Sequence, residues 1–240
     1  MIEIGQSHQG TFMTNHNIEQ ILVPLIQRYG ERRLIPHHEP LDELVQTILS
    51  QNTSDVNSRP AFKALKKAFG KWEDILQAET ETVAELIKGG GLGTIKARRI
   101  QQALQEILRR RGKLDLNFLD RLPVAEAREW LKQLPGVGYK TANCVLLFAL
   151  GKPALPVDTH IFRVSKRLGL IPEIASLEEA HRRLETLVPA ESIYQFHVLI
   201  IEHGRRTCLA RRPDCAHCVL YAICPSYKKC RGTPSFVGRS

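Results

Sequence analysis

The sequence predicts an all-α protein. Three observations carry that reading. Apolar residues recur at helical spacing along nearly the whole chain, strand-like alternation is almost absent, and many periodic stretches open on a capping residue or proline or close on glycine. No repeat of solenoid length is present. At 240 residues the chain suffices for one large domain or two small ones.

Taken in order, Asn17 is placed to cap a helix with Ile18, Ile21, Leu22, Leu25, Ile26 and Tyr29 on one face, closed by Gly30 and with Pro24 inside it. Pro40 opens a second helix with Leu41, Leu44, Val45, Ile48 and Leu49 inward. A third carries Phe62, Leu65 and Phe69 and stops at Gly70. Short helices follow around Trp72 to Leu76 and from Thr82 to Ile87, and Gly89-Gly90-Gly91-Leu92-Gly93 then breaks the chain. A long helix spans about Thr94 to Arg111, with Ile100, Ala103, Leu104, Ile107 and Leu108 on its apolar stripe. Pro123 opens the next, ending near Leu134, and a tight turn leads into one reaching Leu150. Asp158 or Thr159 caps a helix through Leu168. Ser176-Leu177-Glu178-Glu179 is a capping box, and a final helix covers about Ser192 to His203.

Composition narrows the class of function. Hydrophobic residues at 43% and charged residues at 25% are those of an ordinary globular protein. The net charge of +9 favours a polyanionic partner, although solubility alone also explains it. Clustering favours the partner: seven basic residues and one acidic residue, Glu106, lie between Lys88 and Arg111. The longest apolar stretch, Cys144 to Leu150, is far below the roughly 20 residues that span a membrane. The N-terminus lacks a signal-peptide plan. The chain therefore reads as intracellular, in cytoplasm or nucleoid if prokaryotic, where thiols stay reduced.

Leu134-Pro135-Gly136-Val137-Gly138 joins two helices. Pro135 ends the first, Gly136 can take a positive φ, and Gly138 permits a close backbone approach. The amides opening the second helix then form a nest at the positive end of its dipole, which suits a phosphate oxygen. An ordinary αα-hairpin is the alternative for a lone Gly-x-Gly. The longer string, from Leu134 through Tyr139, Lys140 and Thr141 to Ala142, resembles the helix-hairpin-helix of the DNA glycosylase superfamily in the lysine-bearing form of endonuclease III.

Lys140 falls in the first turn of the second hairpin helix, where the helix dipole opposes a cation. A neutral amine there can attack carbon and form a Schiff base. A solvated or phosphate-binding lysine is the bland alternative. Val157-Asp158-Thr159-His160-Ile161-Phe162-Arg163-Val164 resembles the family segment that carries the catalytic aspartate, although Asp158 is also a natural N-cap. The resemblance implies that Asp158 helps activate Lys140 and stabilises the oxocarbenium-like sugar as the base departs. It leaves His160 as a structural or phosphate-contacting residue.

Cys208-x6-Cys215-x2-Cys218-x5-Cys224 packs four of the six cysteines into one short loop. In a reducing compartment that spacing indicates metal rather than disulfides, with zinc as the generic choice. The pattern resembles the four-iron, four-sulfur loop of endonuclease III and the adenine-mismatch glycosylases, which implies a 4Fe-4S cluster on these four thiolates. The cluster would pin a loop bearing Arg205, Arg206, Arg211 and Arg212. Cys144 reads as a core residue and Cys230 as a free thiol.

A glycosylase must extrude its target nucleotide and fill the gap. Leu49-Ser50-Gln51-Asn52-Thr53-Ser54-Asp55 resembles the family stretch that does so. A gapless match to the common endonuclease III form selects Asn52, whereas a match to the Leu-Ser-Gln-Asn branch, which includes plant demethylase glycosylases, selects Gln51. Gln51 is the preferred choice. Leu92, between glycines, matches the family's apolar wedge.

The resemblance covers roughly residues 17 to 228. It implies a six-helix barrel domain with the helix-hairpin-helix (38–152) and a second helical domain with the cluster loop (15–37 and 153–229), with flexible ends at 1–14 and 230–240. It further implies a monomer holding double-stranded DNA in the cleft between the domains, with no membrane partner. That DNA carries a damaged or mismatched base or an abasic site. DNA-contacting residues would be Gln51, Asn52, Leu92, Gly136, Val137, Gly138, Thr141 and His160. The expected activity is a bifunctional DNA glycosylase and abasic-site lyase in base excision repair, by default on oxidised pyrimidines. The alternatives are a monofunctional uracil or thymine mismatch glycosylase and a non-catalytic DNA-binding protein. Tyr139 stands where the common bacterial form often has arginine. In thymine-mismatch branches a tyrosine near here replaces the lysine, whereas this chain keeps Lys140.

Overall fold

The structure, a computed structural model, describes residues 17–53 and 55–227. The expected flexible ends, Ser54 and Cys230 lie outside the described residues. The described residues are helical throughout, without a strand. The helices are α1 (Ile18–Tyr29), α2 (Pro40–Ser50), α3 (Asp55–Ala68), α4 (Trp72–Gln77), α5 (Thr80–Leu86), α6 (Gly93–Arg111), α7 (Val124–Lys132), α8 (Tyr139–Cys144), α9 (Thr159–Arg167), α10 (Leu177–Leu187) and α11 (Ile193–Arg206). Their contacts divide the chain into two compact units. One is Arg33–Asp158 with Ala190–His197; the other takes the described residues up to Arg32, with Thr159–Pro189 and Val198 onward.

The first unit holds the larger core. Leu44 and Ile48 of α2, Leu65 of α3, Ile75 of α4, Ile100 and Leu104 of α6, Leu131 of α7 and Leu146 after α8 are all fully buried. They are the positions that helical spacing turns inward, and the burial of each contributes about 2 kcal/mol against the entropy of folding. The longest element, α6, runs 19 residues, about 28 Å. Gly112 in the left-handed region stops it, its amide bonded to Leu108 O.

The boundaries differ from the sequence reading where local bonding changes. Helix α5 starts two residues early, at Thr80. Lys88–Gly90 and Asn117–Arg121 form 3-10 turns that the sequence does not announce. The helix expected to reach Leu150 is α-helical only to Cys144 and then widens into a π turn, Val145–Ala149. The carbonyls of Phe148 and Ala149 accept from the amides of His37 and His38, at 3.4 and 3.0 Å, which docks the segment leading into α2.

The second unit packs α1, α9, α10 and part of α11. Asn17 caps α1 by accepting from Glu19 N at 3.2 Å, and Ser176 caps α10 by accepting from Glu179 N at 3.1 Å. Such caps contribute about 1 kcal/mol each. Gly204 of α11 touches α9 so closely that a β-carbon there would lie 3.0 Å from the His160 β-carbon.

Candidate active site

The hairpin between α7 and α8 has the backbone its sequence requires. Gly136 sits at φ 75°, and a β-carbon there would press on the Arg99 side chain at 3.2 Å. Gly138 is extended, at φ −99°, and, its chain neighbours aside, no atom of the described residues lies within 4 Å of where its β-carbon would be. The close approach expected at Gly138 is therefore not made by another described part of this chain. The side chains of Val137 and Thr141 are buried. Only the main chain of these two is placed to meet a ligand at the helix start.

A second group of residues braces this hairpin. Arg99 donates to Gln51 Oε1 at 2.8 Å, and Gln51 Nε2 donates to Gly136 O at 3.0 Å and reaches Thr141 Oγ1 at 3.4 Å. Lys96, one turn before Arg99, is almost completely buried and donates to Leu49 O at 2.7 Å. Burial, with help from the Arg99 charge, holds the Lys96 ammonium below the usual lysine range. The start of α6 thus holds both the end of α2 and the hairpin. Sequence reasoning missed Lys96 because a lysine in a basic run reads as solvated. Its position on the apolar stripe, four residues before Ile100, was the available signal.

Gln51 is accordingly committed to the hairpin. The adjacent Asn52 is exposed and held in the left-handed region at φ 54°, and Leu92 is 53% exposed at φ 55°. Leucine in that region is strained by about 1–2 kcal/mol, whereas asparagine tolerates it better. Both stand at the positions that resemble duplex-penetrating residues. The Lys96 ammonium reaches the carbonyl three residues before Asn52, and Lys96 follows Leu92 by one turn.

Lys140 and Asp158 belong to the same unit, and the charges of both act on one thiol, that of Cys144. Both are half-buried. The thiol of Cys144, one turn after Lys140 on α8, is pushed up to about 11 by burial and lies within the fields of Lys140, Glu43 and Asp158. The segment before Asp158 is tied down on two sides. Asn143, fully buried, donates to Leu155 O at 2.8 Å and accepts from Arg128 Nε at 2.7 Å. His197 Nδ1 lies 2.9 Å from Pro156 O. Tyr139 lies against α7, with the Lys132 ammonium 3.8 Å from its ring centre and the Arg128 guanidinium 5.9 Å away.

Glu43 is a residue the sequence reading did not single out. It is half-buried, accepts from Thr47 Oγ1 at 3.0 Å and lies 3.2 Å from His37 Nε2. Burial raises its carboxyl above the usual range, with those two hydrogen bonds and the charges of His37 and Lys140 opposing. A charged residue on a helix flank reads as surface. Only its spacing of four from Thr47 hints otherwise.

In the other unit, the four cysteines line one cavity of about 220 Å³, together with His203, Leu168 and Tyr227 among others. Arg167 holds the loop by donating to Leu209 O at 2.7 Å, Ala210 O at 3.0 Å and Cys208 Sγ at 3.2 Å. Four thiolates lining one space fit a cluster that each thiolate anchors at one iron. His160 is half-buried, 3.2 Å from Arg163 NH2, and Arg163 in turn donates to the carbonyls of Gly204 and Cys208.

Comparison with known proteins places the chain in a family. Residues 45–190 match the model of the HhH-GPD superfamily base excision DNA repair proteins. Endonuclease III of Thermotoga maritima is 33% identical over 212 residues, covering 88% of this chain and 94% of that one. A protein described as a putative DNA glycosylase of Arabidopsis thaliana is 40% identical over 165 residues, 69% of this chain, and the match spans 56% of its own length. A solved structure of a trapped endonuclease III–DNA covalent intermediate superposes with a TM-score of 0.78 at 32% identity, covering 91% of this chain and 99% of that one.

Proposed function

Because the chain belongs to the HhH-GPD superfamily and, within it, to the endonuclease III family, we propose that this DNA glycosylase is bifunctional. In this reading it excises a damaged base from double-stranded DNA and then nicks the strand through a Schiff base on Lys140. The observation that carries the proposal is that Lys140 and Asp158 both lie within the field of the buried Cys144 thiol, one turn past Lys140 on α8. The trapped covalent complex of a relative supports the same chemistry.

Each residue has a task. A backbone phosphate sits over Gly138, where the main chain is open, and meets the amides at the start of α8. Asn52 and Leu92 enter the duplex as the target nucleotide turns out. Asn52 replaces Gln51 in this role, since the Gln51 amide is bonded to Gly136 and Arg99. Gln51 instead positions the hairpin. Lys140 Nζ bonds to C1′ as the glycosidic bond breaks and its electron pair leaves with the base. Asp158 stabilises the cationic sugar during that departure. Loss of a 2′ proton then expels the 3′ phosphate by β-elimination. Oxidised pyrimidines are the proposed substrates, and the protein acts as an intracellular monomer.

Cys208, Cys215, Cys218 and Cys224 are the proposed ligands of a 4Fe-4S cluster. Bound there, it would tie the loop that carries Arg211 and Arg212. Visible absorbance with iron and zinc analysis tests this assignment.

The central experiment is borohydride trapping on duplex carrying a damaged base. Lys140→Gln should abolish the covalent adduct and leave binding largely intact. Undiminished trapping in that variant rejects Lys140 as the nucleophile. An intact strand bearing an abasic site would instead identify a monofunctional enzyme, and a panel of lesion-bearing duplexes identifies the base removed.

A further inference from the structure

We propose that Thr207, Tyr29 and His203 form a chain of hydrogen-bond donors that ends on the sulfur of Cys218 and there sets how readily a cluster on this loop takes up an electron. The proposal rests on the reading of the four cysteines as cluster ligands.

The chain lies within one unit and joins parts far apart in sequence. Tyr29 closes α1, 174 residues before His203. His203 lies in the last turn of α11, and Thr207 stands one turn further on. The Tyr29 hydroxyl lies 3.2 Å from His203 Nδ1 and 2.9 Å from Thr207 Oγ1. On the far side of the same ring, His203 Nε2 lies 3.7 Å from Cys218 Sγ, a hydrogen-bonding distance for sulfur. The main chain meets the loop as well, since the amides of Thr207 and Cys208 both donate to His203 O, at 2.9 and 2.8 Å. Tyr29 and His203 are both buried, so neither ring is free to turn out to water.

The direction of the chain follows from its end. A thiolate bound to iron has no proton, so Cys218 Sγ can only accept. His203 Nε2 therefore carries the proton that lies between them. Burial favours a neutral imidazole, in which Nδ1 then holds the lone pair. The Tyr29 hydroxyl donates to Nδ1 and accepts from the Thr207 hydroxyl. Each group donates once along the line, and each link polarises the next. A free thiol at Cys218 could donate instead, so cluster binding selects one tautomer of His203.

Cys208 has a donor of another kind, the charged Arg167, whose guanidinium stands 3.2 Å from its sulfur. The His203 chain carries no formal charge, and its effect is that of the N–H itself. An electron added to an iron–sulfur cluster increases the negative charge on its sulfurs, the ligand thiolates included. A donor aimed at one of them stabilises the reduced form more than the oxidised one and raises the potential.

The test is the one-electron midpoint potential of the purified protein by film voltammetry, with the iron–sulfur stretching bands followed by resonance Raman in H2O and D2O. Wild type is compared with His203→Phe, His203→Gln and Tyr29→Phe. His203→Phe keeps a ring and removes the donor. Its reduction equilibrium should fall about tenfold, about 59 mV toward negative potential for one electron, and the deuterium shift of the bands should shrink. His203→Gln retains an N–H at that end and should restore most of both. Tyr29→Phe removes one link upstream and should shift the potential the same way by about half as much.

Iron content and visible absorbance report loading in each protein. Wild type without either overturns the cluster reading, and the chain with it. A loaded His203→Phe with an unmoved potential overturns the chain and leaves the cluster reading standing. His203→Gln as negative as His203→Phe overturns the donor role. An unmoved Tyr29→Phe beside a shifted His203→Phe also overturns the chain, since His203 then acts alone. Should His203→Phe fail to fold or to load, Tyr29→Phe decides: a negative shift supports the chain and an unmoved potential overturns it.

Discussion

Alanine at Gly136 and alanine at Gly138 should separate the two tasks of the hairpin. At Gly136 the φ of 75° places an L-residue in the left-handed region, which costs about 1–2 kcal/mol. The new β-carbon also lies 3.2 Å from Arg99 Cδ and 3.3 Å from Cγ, so the arginine must shift. Its bond to Gln51 Oε1 is then weakened. A hydrogen bond to a charged group is worth about 1.5–3 kcal/mol, and partial exposure brings this one to about 1 kcal/mol. The sum is about 2–3 kcal/mol, or a melting shift of about 5–10 °C for a domain of this size. Gly138 is different. Its backbone is extended and its surroundings are open, so Gly138→Ala should leave stability within about 0.5 kcal/mol. The added methyl instead occupies the place proposed for the phosphate, and DNA affinity should fall about tenfold, or ~1.4 kcal/mol. Thermal melting and fluorescence anisotropy on a duplex with an abasic-site analogue give both quantities. Equal melting losses in the two variants, or full affinity in Gly138→Ala, would refute the division of labour.

Three further outcomes follow from the same structure. Asn52→Gly relieves the positive φ and should hold or raise the melting temperature while lowering base excision about tenfold; normal excision would return the gap-filling role to Gln51. Cys144, with its thiol pushed up to about 11, has about one molecule in a thousand ionised at pH 8, so native alkylation should spare it and denaturation should expose it, as peptide mapping would report. Arg167→Met removes the donors to Leu209 O, Ala210 O and Cys208 Sγ while keeping the apolar stem, and should speed the chelator-driven loss of visible absorbance several-fold; an unchanged rate would mean the loop does not depend on that arginine.

Much of the fold was legible in the sequence because its signals are local. Asn17, Gly30, Pro40 and Ser176 mark helix ends through the bonding of their own neighbours. The Pro135–Gly138 turn was legible for the same reason. The π turn at 145–149 was not, because an all-apolar run carries no period that separates one helical bonding pattern from another. The choice between Gln51 and Asn52 was equally hidden. It depends on Arg99, 48 residues away, and on Gly136, 85 residues away. Lys140 and Asp158 were proposed by resemblance to longer motifs. Glu43 was missed because His37, which precedes α2, and the charge of Lys140 on α8 act on it, and no pattern within α2 reveals either.

The left-handed backbone at Asn52 and Leu92 has a practical consequence for protein engineering. Selection for heat resistance alone would accept glycine at both positions, since relaxing them is an easy gain. The same exchanges would blunt the tips proposed to grip an opened duplex. Libraries screened only for survival at high temperature should therefore accumulate well-behaved but sluggish variants, and position 92 is where that erosion should appear first, because its side chain is more than half exposed.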